Sequence, residues 1–198
     1  MASCGQGNTA ETVAGTETRE ESGMPESKPL LTDFAIEKCG PYRFVGKAVY
    51  VRNDWGNPDA HTGEIVGSVW LAKDWIFAVL DKMTEYIAED MPYGGGIYMW
   101  DRYDEKSRLQ GYIVGKWMKA YAPVPDGMDY FDIPEGYIAK GWGGYVEGEV
   151  KDRLRDSTEY DDASWNWSGE VFADFGARAD DGSWDNSRTG YFIWCTPR

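Results

Sequence analysis

The sequence has few of the residues from which most catalytic and metal sites are built. It contains a single histidine, His61, in a polar loop, and three cysteines, Cys4, Cys39 and Cys195, with no CxxC spacing. This removes most zinc sites and most Ser-His and Cys-His catalysis from consideration. An odd number of cysteines also disfavours a disulfide framework. We therefore expect neither a metal nor a cofactor.

Long hydrophobic runs are absent, and basic residues are in the minority. No run of about 18 apolar residues occurs, so no membrane span is predicted. The chain has 20 basic and 34 acidic residues, a net charge of -14, which disfavours nucleic acid as a partner. We expect a cytoplasmic protein. The segment Met1–Gly5 resembles the end of a bacterial lipoprotein signal, so a lipid-anchored protein is the alternative if Cys4 ends a trimmed signal.

Residues 1–30 contain no aromatic residue and are rich in Gly, Ser, Thr and Glu. Such a segment buries too little apolar surface to offset the entropy lost on ordering. We predict a disordered acidic tail over 1–30 and one domain over 31–198.

A Gly/Pro kink followed by an aromatic-led strand occurs twice, in Cys39–Ala48 and in Ile133–Trp142. After each come a segment with helical character and two aromatic-rich strands, the second of which is predicted to span Leu109–Lys119 in the first unit. We predict two pseudo-repeats, about 34–121 and 128–196. The predicted fold is α+β: a tandem strand-helix-strand-strand repeat with an antiparallel sheet, helices on one face and a ligand cleft at the seam.

The two predicted helices differ in strength. Apolar residues over Ile65–Ala88 recur every three or four positions, which is typical of a helix packed on a sheet. Over Glu147–Ser157 only Val150 and Leu154 are clear apolar anchors, so the second helix is predicted to be short.

The chain contains 10 Trp, 13 Tyr and 7 Phe, more aromatic residues than a core of this size usually needs. Alternation along strands assigns residues to faces. Over Ile97–Arg102 it places Ile97 and Met99 on the helix-covered side, and Tyr98 and Trp100 on the open side. The same reasoning places Glu170 and Phe172 on the open side.

We expect a receptor in which aromatic rings stack on flat ligands and attract cations, while a carboxylate supplies a counter-charge. The candidate ligand-binding residues are Tyr98, Trp100, Tyr112, Trp142, Glu170, Phe172 and Tyr191.

Several segments resemble the GyrI-like small-molecule-binding family. They are Pro41–Lys47, Trp75–Phe77, Leu109–Tyr112 and, most specifically, Val124–Tyr137, within a resemblance that covers about Phe34–Thr196. The family has a tandem strand-helix-strand-strand fold with a ligand cleft at the seam. It includes effector domains of AraC-type and MerR-type multidrug regulators.

In those effector domains a Glu on the penultimate strand lies at the bottom of an aromatic drug pocket, and Glu170 is the matching position. Some stand-alone members have Trp-rich clefts and are hydrolases that open the cyclopropane of DNA-alkylating natural products. This chain shows no helix-turn-helix, so a regulator function does not carry over. Its second helix is also shorter than is usual in the family.

Two functions remain open at this point. The first is a binding protein for flat hydrophobic compounds, cationic ones among them. The second is a detoxifying hydrolase in which Glu170 orients or deprotonates an attacking water while Tyr112 or Tyr191 stabilises the developing oxyanion. Binding ranks first because no independent motif demands chemistry. A role as an adaptor for a protein partner has only the acidity of the chain in its support.

Overall fold

The computed structural model of the protein describes residues 31–52, 54, 56–104, 106–144, 146–163, 167–172 and 189–198. For residues 100–103, 167 and 170–172 it describes the backbone alone. In chain order the elements are β1 (Asp33–Cys39), β2 (Tyr42–Arg52), α1 (Thr62–Leu71), α2 (Lys73–Leu80), β3 (Gly94–Asp104), β4 (Leu109–Lys119), β5 (Asp129–Ile133), β6 (Gly136–Trp142), α3 (Glu147–Arg155), β7 (Tyr160–Asp162), β8 (Trp167–Phe172) and β9 (Thr189–Pro197). No helix within these ranges is long and apolar enough to cross a membrane.

The nine strands of the described chain form one sheet in which every pairing is antiparallel. Their order is β1-β6-β9-β8-β3-β4-β2-β5, and β7 adds to β9. The α+β class and the antiparallel sheet are therefore confirmed. Strand β4 has the predicted bounds, and α3 begins at the predicted residue.

The strand pairs β1–β6 and β2–β5 form the two ends of this sheet. One kink connects β1 to β2 and the other connects β5 to β6. The register of the pairing is the same on both sides of the kinks, from Asp33 opposite Trp142 to Gly46 opposite Asp129. The kinks consequently lie against each other. Gly40 has a φ of +76°, and a Cβ there would lie 2.7 Å from the carbonyl oxygen of Pro134, so glycine is required at this position.

The helices α1, α2 and α3 lie on one face of the sheet. Tyr98, Ser168 and Ile193 are directly opposite one another in neighbouring strands, so they share a face. Tyr98 packs with the core formed by α1 and α2, and Ile193 packs with the core formed by α3. The first of these cores buries Val66, Val69, Ile76 and Leu80 against Val45, Val51, Val114 and Met118.

The face assignment made from the alternation in β3 was wrong. Ile97 and Met99 are buried on the opposite face, in a cluster to which no described helix contributes, and Tyr98 lies under the helices. The reason is that both faces are buried. The second face carries a large aromatic and aliphatic core that includes Trp117 and Phe192, so polarity could not distinguish the two sides.

The first helical segment was also predicted as too long. Instead of one helix over Ile65–Ala88, the chain forms α1 and α2 with a break at Ala72. Between Leu80 and Ala88 the helical structure is limited to a single 3-10 turn, Thr84–Tyr86. The break leaves Leu71 almost fully exposed.

Candidate small-molecule site

A cavity of about 410 Å³ lies on the helix-covered face of the sheet. α1 supplies one wall, the start of α3 supplies another, and strands β3, β4, β8 and β9 form the floor. The lining residues are Gly63, Val66, Gly67, Trp70, Gly96, Tyr98, Tyr112, Glu147, Gly169 and Tyr191. Residues from the two halves of the chain therefore meet in one space.

Tyr112 and its neighbours form the first part of the floor. Tyr112 is only 4% exposed, and its ring packs edge-to-face on Tyr98 with the centroids 4.8 Å apart. The indole Nε1 of Trp70 donates a hydrogen bond of 2.9 Å to the Tyr112 hydroxyl oxygen. This bond couples the α1 wall to the sheet and holds three aromatic rings in fixed relative positions.

Gly96 makes this arrangement possible. A Cβ at position 96 would lie 1.9 Å from the Tyr112 hydroxyl oxygen and 2.9 Å from the Trp70 ring. Contacts of that length are not tolerated, so the hydroxyl can lie against the β3 backbone only because residue 96 has no side chain.

Tyr191 on β9 supplies the second part of the floor. It is 7% exposed, and its hydroxyl donates to the Ser168 Oγ over 3.3 Å. Ser168 is itself buried, so this weak contact satisfies two hydroxyls at once. The cavity thus has rigid aromatic surfaces with polar tips.

Glu147 is the one charged side chain lining the cavity among the residues whose side chains are described. It is the first residue of α3, its side chain is 50% exposed, and its Oε1 lies 2.5 Å from the Lys151 Nζ. The buried tyrosines lie at the bottom of the cavity, so this half-exposed carboxylate lies at its rim.

Three of the predicted ligand-binding residues, Tyr98, Tyr112 and Tyr191, lie together in this cavity. Trp142 does not join them. It lies on the opposite face, where its ring is 5.2 Å from Tyr93 and 5.9 Å from Phe192. Physically, Trp142 fills a core between packed aromatic rings rather than lining this space.

For three other predicted ligand-binding residues the structure describes the backbone but not the side chain. Trp100 belongs to β3, and Glu170 and Phe172 belong to β8. The backbone of Glu170 is paired with Gly96 on one side and with Tyr191 on the other. Both partners line the cavity.

Trp70 and Glu147 line the cavity but were not among the predicted ligand-binding residues. Trp70 was one of the apolar residues of the first predicted helix, and Glu147 was simply the start of the second. The indole N–H of Trp70 was the available signal, because the N–H of a partly buried tryptophan usually has an acceptor. For Glu147 no signal existed before the helices were placed.

Among the described residues, the cavity lining includes neither a cluster of metal-ligating side chains nor a cysteine. The described residues contain no group of three or more His, Cys, Asp and Glu side chains that could hold a metal ion. Cys39 and Cys195 are buried outside the cavity lining, and burial raises the pKa of each thiol to about 12. They are therefore protonated and weakly nucleophilic at neutral pH.

No protein-family model and no curated protein sequence matches the chain. Solved structures do. SAV2435, in a structure with bound tetraphenylphosphonium, aligns with a TM-score of 0.51 at 12% identity, over 84% of this chain and 94% of its own. At that identity the likeness concerns the fold alone.

Two further structures align with lower scores. The integron cassette protein VCH_CASS2, from the mobile metagenome of Vibrio cholerae, gives a TM-score of 0.42 at 13% identity, over 85% of this chain and 97% of its own. A Staphylococcus aureus MU50 protein, described as a bacterial transcription regulation protein, gives 0.49 at 10% identity, over 83% and 98% of the two chains.

Proposed function

We propose that the protein is a GyrI-like binding protein for hydrophobic aromatic compounds, cationic ones among them. In this proposal two strand-helix-strand-strand units pair, and the cavity between α1 and α3 is the ligand cleft at their seam. The observation that carries it is the convergence of Trp70, Tyr98, Tyr112 and Tyr191 from both halves on one cavity.

The physical properties of the cavity support this class of ligand. Its volume of about 410 Å³ lies within the range of small-molecule sites, roughly 300–1,000 Å³. The negative faces of aromatic rings attract organic cations, and a cation loses little on leaving water when its charge is spread over a large apolar group. The hydrogen bond from Trp70 to Tyr112 reduces the entropy cost of ordering the rings on binding.

We further propose Glu170 as the carboxylate at the base of the cleft. Its backbone lies in register between Gly96 and Tyr191, two residues of the cavity lining. Residues directly opposite one another in a sheet share a face, and this supports the assignment.

Calorimetric titration with tetraphenylphosphonium, the compound bound to SAV2435, tests the binding proposal. Two variants each replace one tryptophan. Trp70→Phe removes the indole donor from the cavity, and Trp142→Phe is its matched control on the opposite face of the sheet. We expect affinity to fall about five- to tenfold for Trp70→Phe, since a hydrogen bond and part of a wall are lost. Trp142→Phe should leave it unchanged.

No binding by the wild-type protein would end the proposal. Equal losses in the two variants would place the ligand elsewhere. Glu170→Gln should lower the affinity for the cation and leave the affinity for the neutral compound triphenylphosphine oxide unchanged. If neither affinity fell, Glu170 would not be part of the site.

The hydrolase alternative is favoured by one feature, the tyrosine hydroxyls of the cavity floor beside the register position of Glu170. Incubation with a cyclopropane-bearing alkylating compound separates the two functions. The binding proposal predicts recovery of the intact compound. A ring-opened water adduct that disappears with Glu170→Gln would establish hydrolysis instead.

A further inference from the structure

We propose that Glu147 at the cavity rim selects for positively charged ligands, and that Lys151 weakens this selection by competing for the same carboxylate. The inference rests on the proposed function of the cavity. It assigns the preference for charge to α3, a part of the site that is separate from the aromatic floor and from Glu170.

The geometry places Glu147 where a bound cation would meet it. Glu147 lines the cavity together with Trp70 of α1 and Tyr191 of β9. Its side chain is 50% exposed, so it can reorient without breaking any buried contact. A carboxylate beside aromatic walls adds a charge partner to the attraction of the ring faces.

Lys151 is the competitor because it occupies Glu147 one helical turn away. The Nζ of Lys151 lies 2.5 Å from the Oε1 of Glu147, and the side chain of Lys151 is 40% exposed. Ion pairs between such exposed groups are weak, because water and salt screen them. A cation held by the aromatic floor can therefore displace the ammonium group from Glu147.

A second ion pair on the same helix provides a matched comparison. Asp152 and Arg155 form a contact of 2.8 Å, and neither residue lines the cavity. Removing charge from this pair changes the net charge of α3 by the same amount as removing it from Glu147 and Lys151. Any difference between the two pairs then reports contact with the ligand rather than the general field of an acidic protein.

The experiment measures the affinity of tetraphenylphosphonium and of neutral triphenylphosphine oxide by calorimetry at low and at physiological salt. The variants are Glu147→Gln, Lys151→Met and the two combined, with Asp152→Asn and Arg155→Met as controls. A thermal unfolding curve for each variant verifies that α3 remains folded.

We expect Glu147→Gln to lower the affinity for the cation about fivefold and Lys151→Met to raise it about threefold. Both effects should be smaller at higher salt. In the Glu147→Gln background Lys151→Met should have no more effect than Arg155→Met, and the neutral compound should be unaffected. Wild-type binding with equal effects of Glu147→Gln and Asp152→Asn would overturn the inference alone. An absence of wild-type binding to both compounds would overturn the inference together with the proposed function.

Discussion

Replacement of Gly67 by alanine should make the protein more stable and make the cavity a worse receptor. Gly67 lies inside α1 and lines the cavity with Gly63, Val66 and Trp70, which recur at the spacing of one helical face. A Cβ at position 67 would have no heavy atom within 4 Å. Unlike Gly96, Gly67 is therefore not required by the packing of the protein itself.

The two effects have different magnitudes. Glycine inside a helix costs about 0.5–1 kcal/mol relative to alanine, so the free energy of unfolding should rise by that amount. For a protein of this size this corresponds to an increase of about 1–4 °C in Tm. A methyl group forced into an occupied space costs about 1–3 kcal/mol, which would lower the affinity for tetraphenylphosphonium by a factor of about 5 to 150.

Thermal unfolding and calorimetric titration of the same samples measure both effects. Gly148→Ala is the control: Gly148 lies in the first turn of α3, a Cβ there also meets nothing within 4 Å, and it does not line the cavity. It should not lower affinity. Gly67→Ala with raised stability and unchanged affinity would refute the idea that a ligand occupies the space beside α1.

Two further predictions concern the body of the protein. Gln110 is 0% exposed, and neither of its side-chain amide atoms has a hydrogen-bond partner in the described chain. Gln110→Met should therefore raise the free energy of unfolding, measured by urea titration, by about 1–2 kcal/mol. An unchanged or lower value would mean that the amide is satisfied. Burial raises the pKa of the Cys39 and Cys195 thiols to about 12, so both stay protonated in the folded protein when the unfolded thiols ionise near pH 8.5. Between about pH 9 and 10 the free energy of unfolding should consequently fall by up to about 1.4 kcal/mol per pH unit for each thiol, and the slope should be smaller with Cys39→Ala and Cys195→Ala combined. The same slope with and without the two thiols would contradict this reasoning.

The elements that local sequence defines were predictable. β4 is bounded by a charged turn and a Pro-rich linker, and it was placed from Leu109 to Lys119 as observed. α3 carries two apolar anchors one turn apart, Val150 and Leu154, and both are buried under it. In these segments the local pattern and the tertiary packing agree, so the pattern suffices.

The faces of the sheet were not predictable from the same pattern. Alternation states which residues of one strand share a face, but it does not say which face the helices cover when both faces are buried. Tyr98 and Trp142 were therefore grouped together, although they lie on opposite sides. Tyr98 lies on β3 and Trp142 on β6, and these strands are not neighbours in the sheet. No residue in either strand indicates the register between the two strands, which decides whether the two side chains share a face.

The break between α1 and α2 escaped prediction for a related reason. The apolar stripe of Val66, Val69, Ile76 and Leu80 continues across the break, so the spacing is the same for one helix as for two.

The candidate site shows most clearly what the sequence pattern could not predict. Its tyrosines come from strands, but Trp70 and Glu147 join them only through the placement of α1 and α3 on the sheet. The roles of Trp100, Glu170 and Phe172 remain predictions.

A crystal structure of the protein with tetraphenylphosphonium would show directly whether the cavity between α1 and α3 binds this compound. We expect the compound between α1 and the start of α3, with phenyl groups against Tyr98, Tyr112 and Tyr191 and with the phosphonium closest to a carboxylate. A compound bound beside Trp142 on the opposite face, or an empty cavity at a saturating concentration, would contradict it.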